Sequence, residues 1–197
     1  MREEDRIILA DKLRKALTGF PSLRDEYLER LCSRVIDDSR FRICPASVGK
    51  HHSWPGGLLK HTLEVVQFSL NMCKASCEAL DAGKIPIDDH VVALAAVFHD
   101  YAKIYCYEER GNGWVKTDYS NKIQHVYGSA EFFSNLARDC QVPQGLIGDV
   151  VHAILAQHGR NEWGSPVTPY SREAWIVHLA DMASVNICEE RYLRIRG

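Results

Sequence analysis

The sequence predicts an all-α protein. Apolar residues recur at helical spacing along most of the 197 residues. Strand-like composition is confined to one segment near residues 104–116, where we expect a small hairpin. No internal repeat or linker divides the sequence, so we expect a single domain over residues 1–197. Its N-terminal helices, in about residues 1–40, should pack on a core at residues 51–187.

Breaker residues and apolar periodicity delimit the elements. Gly19 and Pro21 separate the first two helices, and a loop covers about residues 39–55. Gly111-Asn112 favours the turn of the hairpin between residues 104–107 and 114–116. Gly159 ends the sixth helix. The predicted helices cover residues 3–18, 22–38, 56–80, 88–102, 121–139, 143–158 and 171–190.

Composition excludes several functional classes. Contents of 46% hydrophobic and 25% charged residues are typical of a soluble globular protein. A net charge of −2 provides no global positive field for nucleic acid. No apolar run reaches the roughly 20 residues that span a bilayer, and residues 1–5 are too charged for a secretion signal. Seven scattered cysteines, without a Cys-x-x-Cys pair, predict reduced thiols and a cytoplasmic location.

Titratable residues interrupt several apolar helix faces. His99-Asp100 follows the apolar run 91–98, and His61 lies on a stripe with Leu58, Val65, Phe68 and Met72. A single histidine on such a face is more often a satisfied core residue. Aspartate, however, is almost never buried unless it is paired, and few basic residues share these faces. A divalent metal ion would satisfy the carboxylates of both aspartates, Asp100 and Asp181. The candidate ligands are His61, His99, Asp100, His125, His158 and Asp181.

The donor set indicates which metals are suitable. Nitrogen and oxygen donors without thiolate favour Mn, Fe, Ni, Co, Zn or Mg and disfavour a structural zinc site. Six ligands exceed the need of one tetrahedral ion, so we expect one or two ions. Asp100 would then bridge two metals about 3.5–4 Å apart.

The order His61, His99-Asp100, Asp181 resembles the metal signature of the HD-domain metal-dependent phosphohydrolases. Two segments, 51–62 (HHSWPGGLLKHT) and 157–166 (QHGRNEWGSP), resemble the branch that contains the HD-type 3′-to-5′ exoribonucleases. The similarity extends from about residue 20 to residue 187. It implies an HD-domain helical bundle.

The resemblance also implies roles for individual residues. His61, His99, Asp100 and Asp181 would form the primary metal site, and His125 and His158 would complete a second site that shares Asp100. Asp100 and Lys103 would be catalytic, with Lys103 contacting a substrate phosphate oxygen. The alternative for Lys103 is a solvated lysine at a helix end. His52, Trp54 and Arg160 would bind substrate, although loop packing is the alternative for His52 and Trp54.

Three features depart from the family pattern. Tyr101-Ala102 replaces an aliphatic-Gly pair, which predicts a narrower or specialised substrate mouth. Gln157 stands where those exoribonucleases have a histidine, and an amide is a poorer transition-metal ligand. His152 is expected near the site but not as a ligand. The N-terminal OB-fold of those enzymes, which holds a single strand, is not expected here, and this disfavours polymer processing.

These observations predict a metal-dependent phosphohydrolase of the phosphatase or phosphodiesterase type. Activated water would hydrolyse a nucleotide, a small phosphodiester or a short oligonucleotide. We expect a small, nucleotide-like phosphorylated partner, no long nucleic acid and no membrane. Two alternatives stay open: a di-iron oxygenase of the same fold, and a non-catalytic regulatory domain that retains the metal.

Overall fold

The architecture is helical with one two-stranded sheet, which confirms the predicted all-α class. The structure is a computed structural model that describes residues 1–20, 26–79 and 86–187. In chain order its elements are α1 (Glu3–Leu17), α2 (Glu26–Ile36), α3 (Ser39–Ile43), α4 (Gly57–Ala79), α5 (Asp89–Phe98), α6 (Lys103–Cys106), β1 (Tyr107–Arg110), β2 (Gly113–Lys116), α7 (Asp118–Lys122), α8 (His125–Asp139), α9 (Gln144–Leu155), a 3-10 turn (Asn161–Trp163) and α10 (Arg172–Ile187).

Helices α4 and α5 form the centre of the molecule. Every residue from Val91 to Phe98 is buried, as expected for an apolar run without a polar face. Helix α4 packs against α1, α5 and α10, and α5 packs also against α9. A polar side chain at the end of α5 or on the inner face of α4 is therefore enclosed by several helices.

The predicted loop at 39–55 contains a short helix, α3. Its cause is local: Oδ1 of Asp38 accepts hydrogen bonds from the backbone N–H groups of Arg40 and Phe41, at 2.7 and 3.4 Å. An aspartate in this position is a strong helix N-cap. The predicted start of the preceding helix, at residue 22, lies outside the described residues, as do the predicted ends at residues 80 and 190.

The chain after α5 differs most from the prediction. The helix predicted over 88–102 ends at Phe98, and a tight turn carries residues 99–102. The predicted strand at 104–106 is instead the helical turn α6, begun by a hydrogen bond of 3.0 Å from the Lys103 N–H to the Asp100 carbonyl. The hairpin follows at Tyr107, and Arg110 pairs with Gly113 across a two-residue loop.

Two further predicted helices are interrupted or shortened. The helix predicted at 121–139 is split where Gln124 adopts a φ of 66°, a conformation that breaks helical geometry, and His125 begins α8. Helix α9 ends at Leu155, so His158 lies in the following turn. Both interruptions place a candidate ligand at a helix end.

Within the described residues, no helix is both long and apolar enough to cross a bilayer. The six cysteines in this part of the chain are free thiols: Cys32, Cys44, Cys73, Cys77, Cys106 and Cys140.

Candidate metal centre

Four side chains from α4, α10 and the turn after α5 converge in the interior. Nε2 of His61 lies 3.1 Å from Nε2 of His99 and 3.2 Å from Oδ1 of Asp181. Oδ2 of Asp100 lies 3.3 Å from the His61 nitrogen and 3.4 Å from the His99 nitrogen. Two ligands held about 2.1 Å from one ion at a right angle are themselves about 3 Å apart. The donor atoms of His61, His99 and Asp181 all lie within 4.8 Å of one another, a spacing that suits one divalent ion, and Asp100 lies beside the two histidine nitrogens of this group.

Hydrogen bonds on the far side of each imidazole determine where its proton lies. Nδ1 of His99 is 2.9 Å from the Ala96 carbonyl, which can only accept, so the proton of the neutral ring is on Nδ1. Nδ1 of His61 is 2.8 Å from Oγ of Ser184. That hydroxyl donates its own proton to Glu64, so it accepts from His61.

In their neutral forms both rings thus direct an unprotonated Nε2 toward the two carboxylates. Lone pairs and negative charges in such close proximity repel unless a cation or a proton lies between them. Orienting bonds of this kind to the second ring nitrogen are typical of histidines that bind metals. The chemistry of the donor set therefore fits a divalent ion.

The same electrostatics perturb the pKa values of these side chains in the metal-free protein. Burial lowers the pKa of His61, but its hydrogen bonds to Asp100 and Asp181 outweigh burial and raise that pKa to about 9. Burial raises the pKa of Asp181, but the hydrogen bond from His61 outweighs it and lowers that pKa to about 2. A proton on His61 is therefore the alternative to a metal ion.

A second layer of side chains supports His61. Oε2 of Glu64 accepts hydrogen bonds from Ser184 at 2.7 Å and from Nε2 of His52 at 2.9 Å, and Oε1 lies 2.8 Å from Nζ of Lys60. Burial raises the pKa of Glu64, but these contacts outweigh it and lower the pKa to about 2. We call the chain His61–Ser184–Glu64 the His61 relay.

Lys103 is an interior group. Its ammonium lies 2.5 Å from Oδ2 of Asp100, and only 8% of the residue is exposed, so it is not a solvated lysine at a helix end. Burial lowers the pKa of Lys103, but the Asp100 carboxylate outweighs burial and raises it. Burial raises the pKa of Asp100, but the Lys103 charge and neighbouring hydrogen bonds hold it well below its usual value. Both groups therefore stay ionised at neutral pH.

The second pair of predicted ligands lies on the other oxygen of Asp100. Nε2 of His125 is 3.3 Å from Oδ1 of Asp100, and the rings of His125 and His158 are 5.3 Å apart between centroids. Gln157 lies beside them, and its Nε2 donates to Oδ1 of Asp100 at 3.3 Å.

Two nitrogens of this pair are buried without a hydrogen-bond partner among the described residues: Nε2 of His125 and Nδ1 of His158. Burial lowers the pKa of His125 to about 3, against the attraction of Asp100, so its ring is neutral at physiological pH. A neutral imidazole with an unsatisfied buried nitrogen fits a second ion.

The residues expected to bind substrate lie in different environments. His52 is buried and bonded to Glu64 instead of lining an open surface, and Trp54 is half-buried with its ring 5.5 Å from that of His52. This loop packs closely because residue 57 is glycine: a Cβ there would lie 1.9 Å from the His52 carbonyl oxygen. Arg160 is exposed, and its guanidinium lies over the ring of Trp163 at 5.0 Å.

Tyr101 does not narrow a substrate mouth, in contrast to the sequence expectation. It is buried in an aromatic cluster, 4.2 Å between centroids from Phe132, and its hydroxyl donates to Oδ2 of Asp38 at 2.6 Å. The turn after α5 directs consecutive residues to opposite sides, so Asp100 faces the metal donors while Tyr101 faces α8. His152 likewise serves the scaffold, because its Nε2 accepts from the Tyr170 N–H at 3.0 Å.

Sequence reasoning missed three residues near the centre. His51, whose ring centroid is 5.3 Å from that of His61, has a buried Nε2 without a partner among the described residues. Its signal was the His51-His52 pair. Glu64 and Ser184 lie three residues after His61 and Asp181, so the i,i+3 rule for shared helix faces could have found both.

Comparisons with known proteins agree with this arrangement. The HD domain family matches residues 58–185. The 3′-5′ exoribonuclease YhaM of Bacillus subtilis (strain 168) is 27% identical over 164 residues, which cover 81% of this chain and 48% of that protein. YhaM of Listeria welshimeri is 28% identical over 187 residues, which cover 92% of this chain and 56% of that protein. The chain thus spans about half the length of the curated relatives it matches. No solved structure matches it.

One expectation is wrong in the light of these relatives. A partner restricted to small nucleotide-like compounds, with long nucleic acid excluded, disagrees with similarity to exoribonucleases. Net charge describes the whole surface, whereas a strand end is held by the few groups beside the reacting phosphate. Because the family match spans residues 58–185 and includes the metal signature, the chain belongs to the HD domain family, in the HD-type phosphohydrolase superfamily.

Proposed function

We propose that this chain is a metal-dependent phosphodiesterase that removes nucleotides from the 3′ end of an oligonucleotide. The observation that carries the proposal is the set of four donors from His61, His99, Asp100 and Asp181, spaced 3.1–3.4 Å around His61 and His99. The choice of an oligonucleotide is supported by the names of the relatives, which are 3′-5′ exoribonucleases.

When bound, a divalent ion supplies Lewis acidity to phosphoryl oxygens and makes water nucleophilic near neutral pH. The protein contributes orientation and charge. His61 and His99 present fixed lone pairs because their Nδ1 protons are held by Ser184 and by the Ala96 carbonyl. Asp100 is kept ionised by Lys103 and faces both groups of histidines.

Lys103 also supplies a buried positive charge beside the reacting phosphate. Negative charge builds up on the phosphoryl oxygens during the displacement, and a preorganised ammonium in a dry site stabilises it. The oxygen of water bonds to phosphorus, the P–O3′ bond breaks, and a proton from the water ends on the departing O3′. The products are a nucleoside 5′-monophosphate and a strand that is shorter by one nucleotide and ends in a 3′-hydroxyl.

The test is a cleavage assay on the chelator-stripped and Mn²⁺-reloaded protein. With a six-nucleotide RNA labelled at its 5′ end, we expect a ladder that shortens from the 3′ end and release of nucleoside 5′-monophosphates. Asp100→Ala should lose bound metal. It should also reduce turnover by more than the roughly 10–100-fold that is typical when a residue hydrogen-bonded to a metal ligand is replaced. Asp118→Ala, which removes an exposed carboxylate paired with Lys122, is the matched control and should keep both.

Absence of cleavage by the wild type with Mn²⁺, Fe²⁺, Co²⁺, Ni²⁺ or Zn²⁺ bound would contradict the proposal. Internal cuts without loss of 3′ nucleotides would contradict its direction. Uptake of O₂ by the iron-loaded protein, without ester cleavage, would instead support an oxygenase of the same fold.

A further inference from the structure

An exposed aromatic surface lies next to the candidate metal centre. Trp163 is 51% exposed, Trp175 is 49% exposed and Leu179, one turn further along α10, is 48% exposed. Apolar side chains this large are normally covered, and where several are exposed together they mark an interaction site. The buried ring of His178 lies between the two tryptophans, with centroids 6.4 Å from Trp163 and 5.7 Å from Trp175.

The surface is attached to the residues of the metal centre. Nδ1 of His178 is 2.7 Å from the carbonyl oxygen of Gln157, whose side chain contacts Asp100. The Trp163 loop also folds back on the centre: a Cβ on Gly164 would lie 3.7 Å from Nδ1 of His158. The loop that carries Trp163 therefore lies beside His158, and His178 connects the two tryptophans to Gln157.

Several hydrogen bonds hold the loop of residues 160–170, which carries Trp163. Oγ of the buried Ser165 donates to the Leu155 carbonyl at the end of α9 at 2.9 Å, and the Ser165 N–H donates to the Arg160 carbonyl at 3.1 Å. The Tyr170 N–H bonds to His152 of α9. These hydrogen bonds tie the backbone on both sides of Trp163 to α9 and to Arg160, and a preorganised loop loses less conformational freedom on binding than a loose one.

Charge distinguishes this surface from an ordinary apolar contact. The Arg160 guanidinium stacks over the Trp163 ring at 5.0 Å while the residue stays exposed. Exposed tryptophan beside arginine, adjacent to a site for a phosphodiester, has the two elements that bind single strands: a flat face for a base and a cation for the backbone.

We propose that Trp163, Trp175 and Arg160 form a stacking surface for the nucleobases of a single-stranded oligonucleotide whose 3′ end lies at the metal centre. The proposal rests on the proposed function for its ligand. It assigns to this surface the grip on the strand, whereas His61, His99, Asp100 and Asp181 act on the phosphate.

Binding without turnover tests the surface. The probe is a fluorescein-labelled six-nucleotide RNA in EDTA, measured by fluorescence anisotropy. Trp163→Ala should weaken binding roughly tenfold, because one stacked base contributes that much or more. Trp163→Phe keeps a flat ring and should bind within a few fold of the wild type. Trp114→Ala, which removes a half-exposed tryptophan of β2, is the matched control and should bind as the wild type does.

A second measurement separates stacking from loss of structure. The wild type should bind the RNA more tightly than an oligomer of the same length with abasic 3′-terminal positions, and Trp163→Ala should reduce that ratio toward one. Circular dichroism melting shows whether each variant is folded.

Equal affinity of the wild type and Trp163→Ala for the RNA would overturn the stacking surface, even if the wild type cleaves RNA. Unchanged RNA affinity together with a lower sedimentation mass for Trp163→Ala would overturn it too, and would identify a contact between copies of this chain. Trp163-dependent binding by a wild type that cleaves no RNA with any metal would support the surface and contradict the proposed function.

Discussion

At the scale of single residues, the His61 relay determines how His61 presents its lone pair. Ser184 accepts from Nδ1 of His61 and donates to Glu64, so one hydroxyl determines the tautomer of a candidate ligand. Removing such an orienting partner typically reduces metal affinity 10–100-fold.

We therefore expect Ser184→Ala to weaken metal binding by roughly 10–100-fold without unfolding the protein. Competition with a chromophoric chelator measures the affinity. Ser69→Ala is the matched control: Ser69 is also a buried serine, but its hydroxyl has no hydrogen-bond partner among the described residues. Equal metal affinity of Ser184→Ala and wild type would show that the relay does not orient His61.

The raised pKa of His61 predicts opposite pH dependences for metal binding and for the stability of the metal-free fold. A proton and a metal ion compete for Nε2, so metal affinity should rise with pH up to about 9. In the metal-free protein, a pKa higher in the folded than in the unfolded state adds stability below pH 6.5. That stability is lost as pH rises through about 9.

Thermal melts in EDTA at pH 6 and pH 9.5 measure the stability of the metal-free fold. Chelator competition over the same pH range measures the metal affinity. His61→Gln should show neither dependence to the same extent. A metal affinity that does not change between pH 6 and pH 9 would mean that His61 carries no proton in competition with the ion.

At the scale of elements, the ends of α5, α8 and α9 supply the second group of donors. His125 begins α8 and lies on the Oδ1 side of Asp100, and His158 follows α9 with its ring 5.3 Å from that of His125 between centroids. We expect two metal ions per chain after loading with Mn²⁺ or Fe²⁺, with Asp100 between them. His125→Ala should reduce the metal content toward one ion per chain, because the His61 and His99 donors are untouched. It should also lower turnover.

Elemental analysis of the loaded proteins measures the stoichiometry. Gln157 is the feature that opposes a second ion, since its amide already donates to Asp100. One equivalent in the wild type at saturating metal, unchanged in His125→Ala, would assign these histidines to the substrate pocket or the core.

Patterns within single helices were predictable from sequence, whereas the interruptions were not. The continuous apolar run of α5 and the stripe of His61 on α4 were visible because they depend only on helical periodicity. The break before α8 was not, because the positive φ belongs to Gln124 and no glycine marks it. The turn after α5 depends partly on a contact from α8, where Oγ of Ser129 accepts from the Ala102 N–H at 3.0 Å.

At the scale of the whole molecule, the metal donors join helices that are far apart in sequence. His61 is on α4, Asp181 on α10 and His99 at the end of α5, and these helices pack on one another in the centre. A ligand that binds only the folded state stabilises it, by about 2.7 kcal/mol at a hundred times its dissociation constant.

Loading with metal should therefore raise the melting temperature by roughly 5–10 °C, given the 2–4 °C per kcal/mol typical of domains of this size. Differential scanning calorimetry with and without a chelator measures the shift. The Asp100→Ala protein serves as the control and should show little of it. A melting temperature independent of metal in the wild type would mean that the donors do not act together on one ion.

The His61 relay has a further consequence for the synthesis of the protein. Ser184, which fixes the proton of His61, follows it by 123 residues. A nascent chain on the ribosome displays His61, His99 and Asp100 long before α10 leaves the exit tunnel, with neither Asp181 nor the correct tautomer available. Capture of an ion by the complete set of donors would then wait until α10 has been synthesised and has packed on α4 and α5.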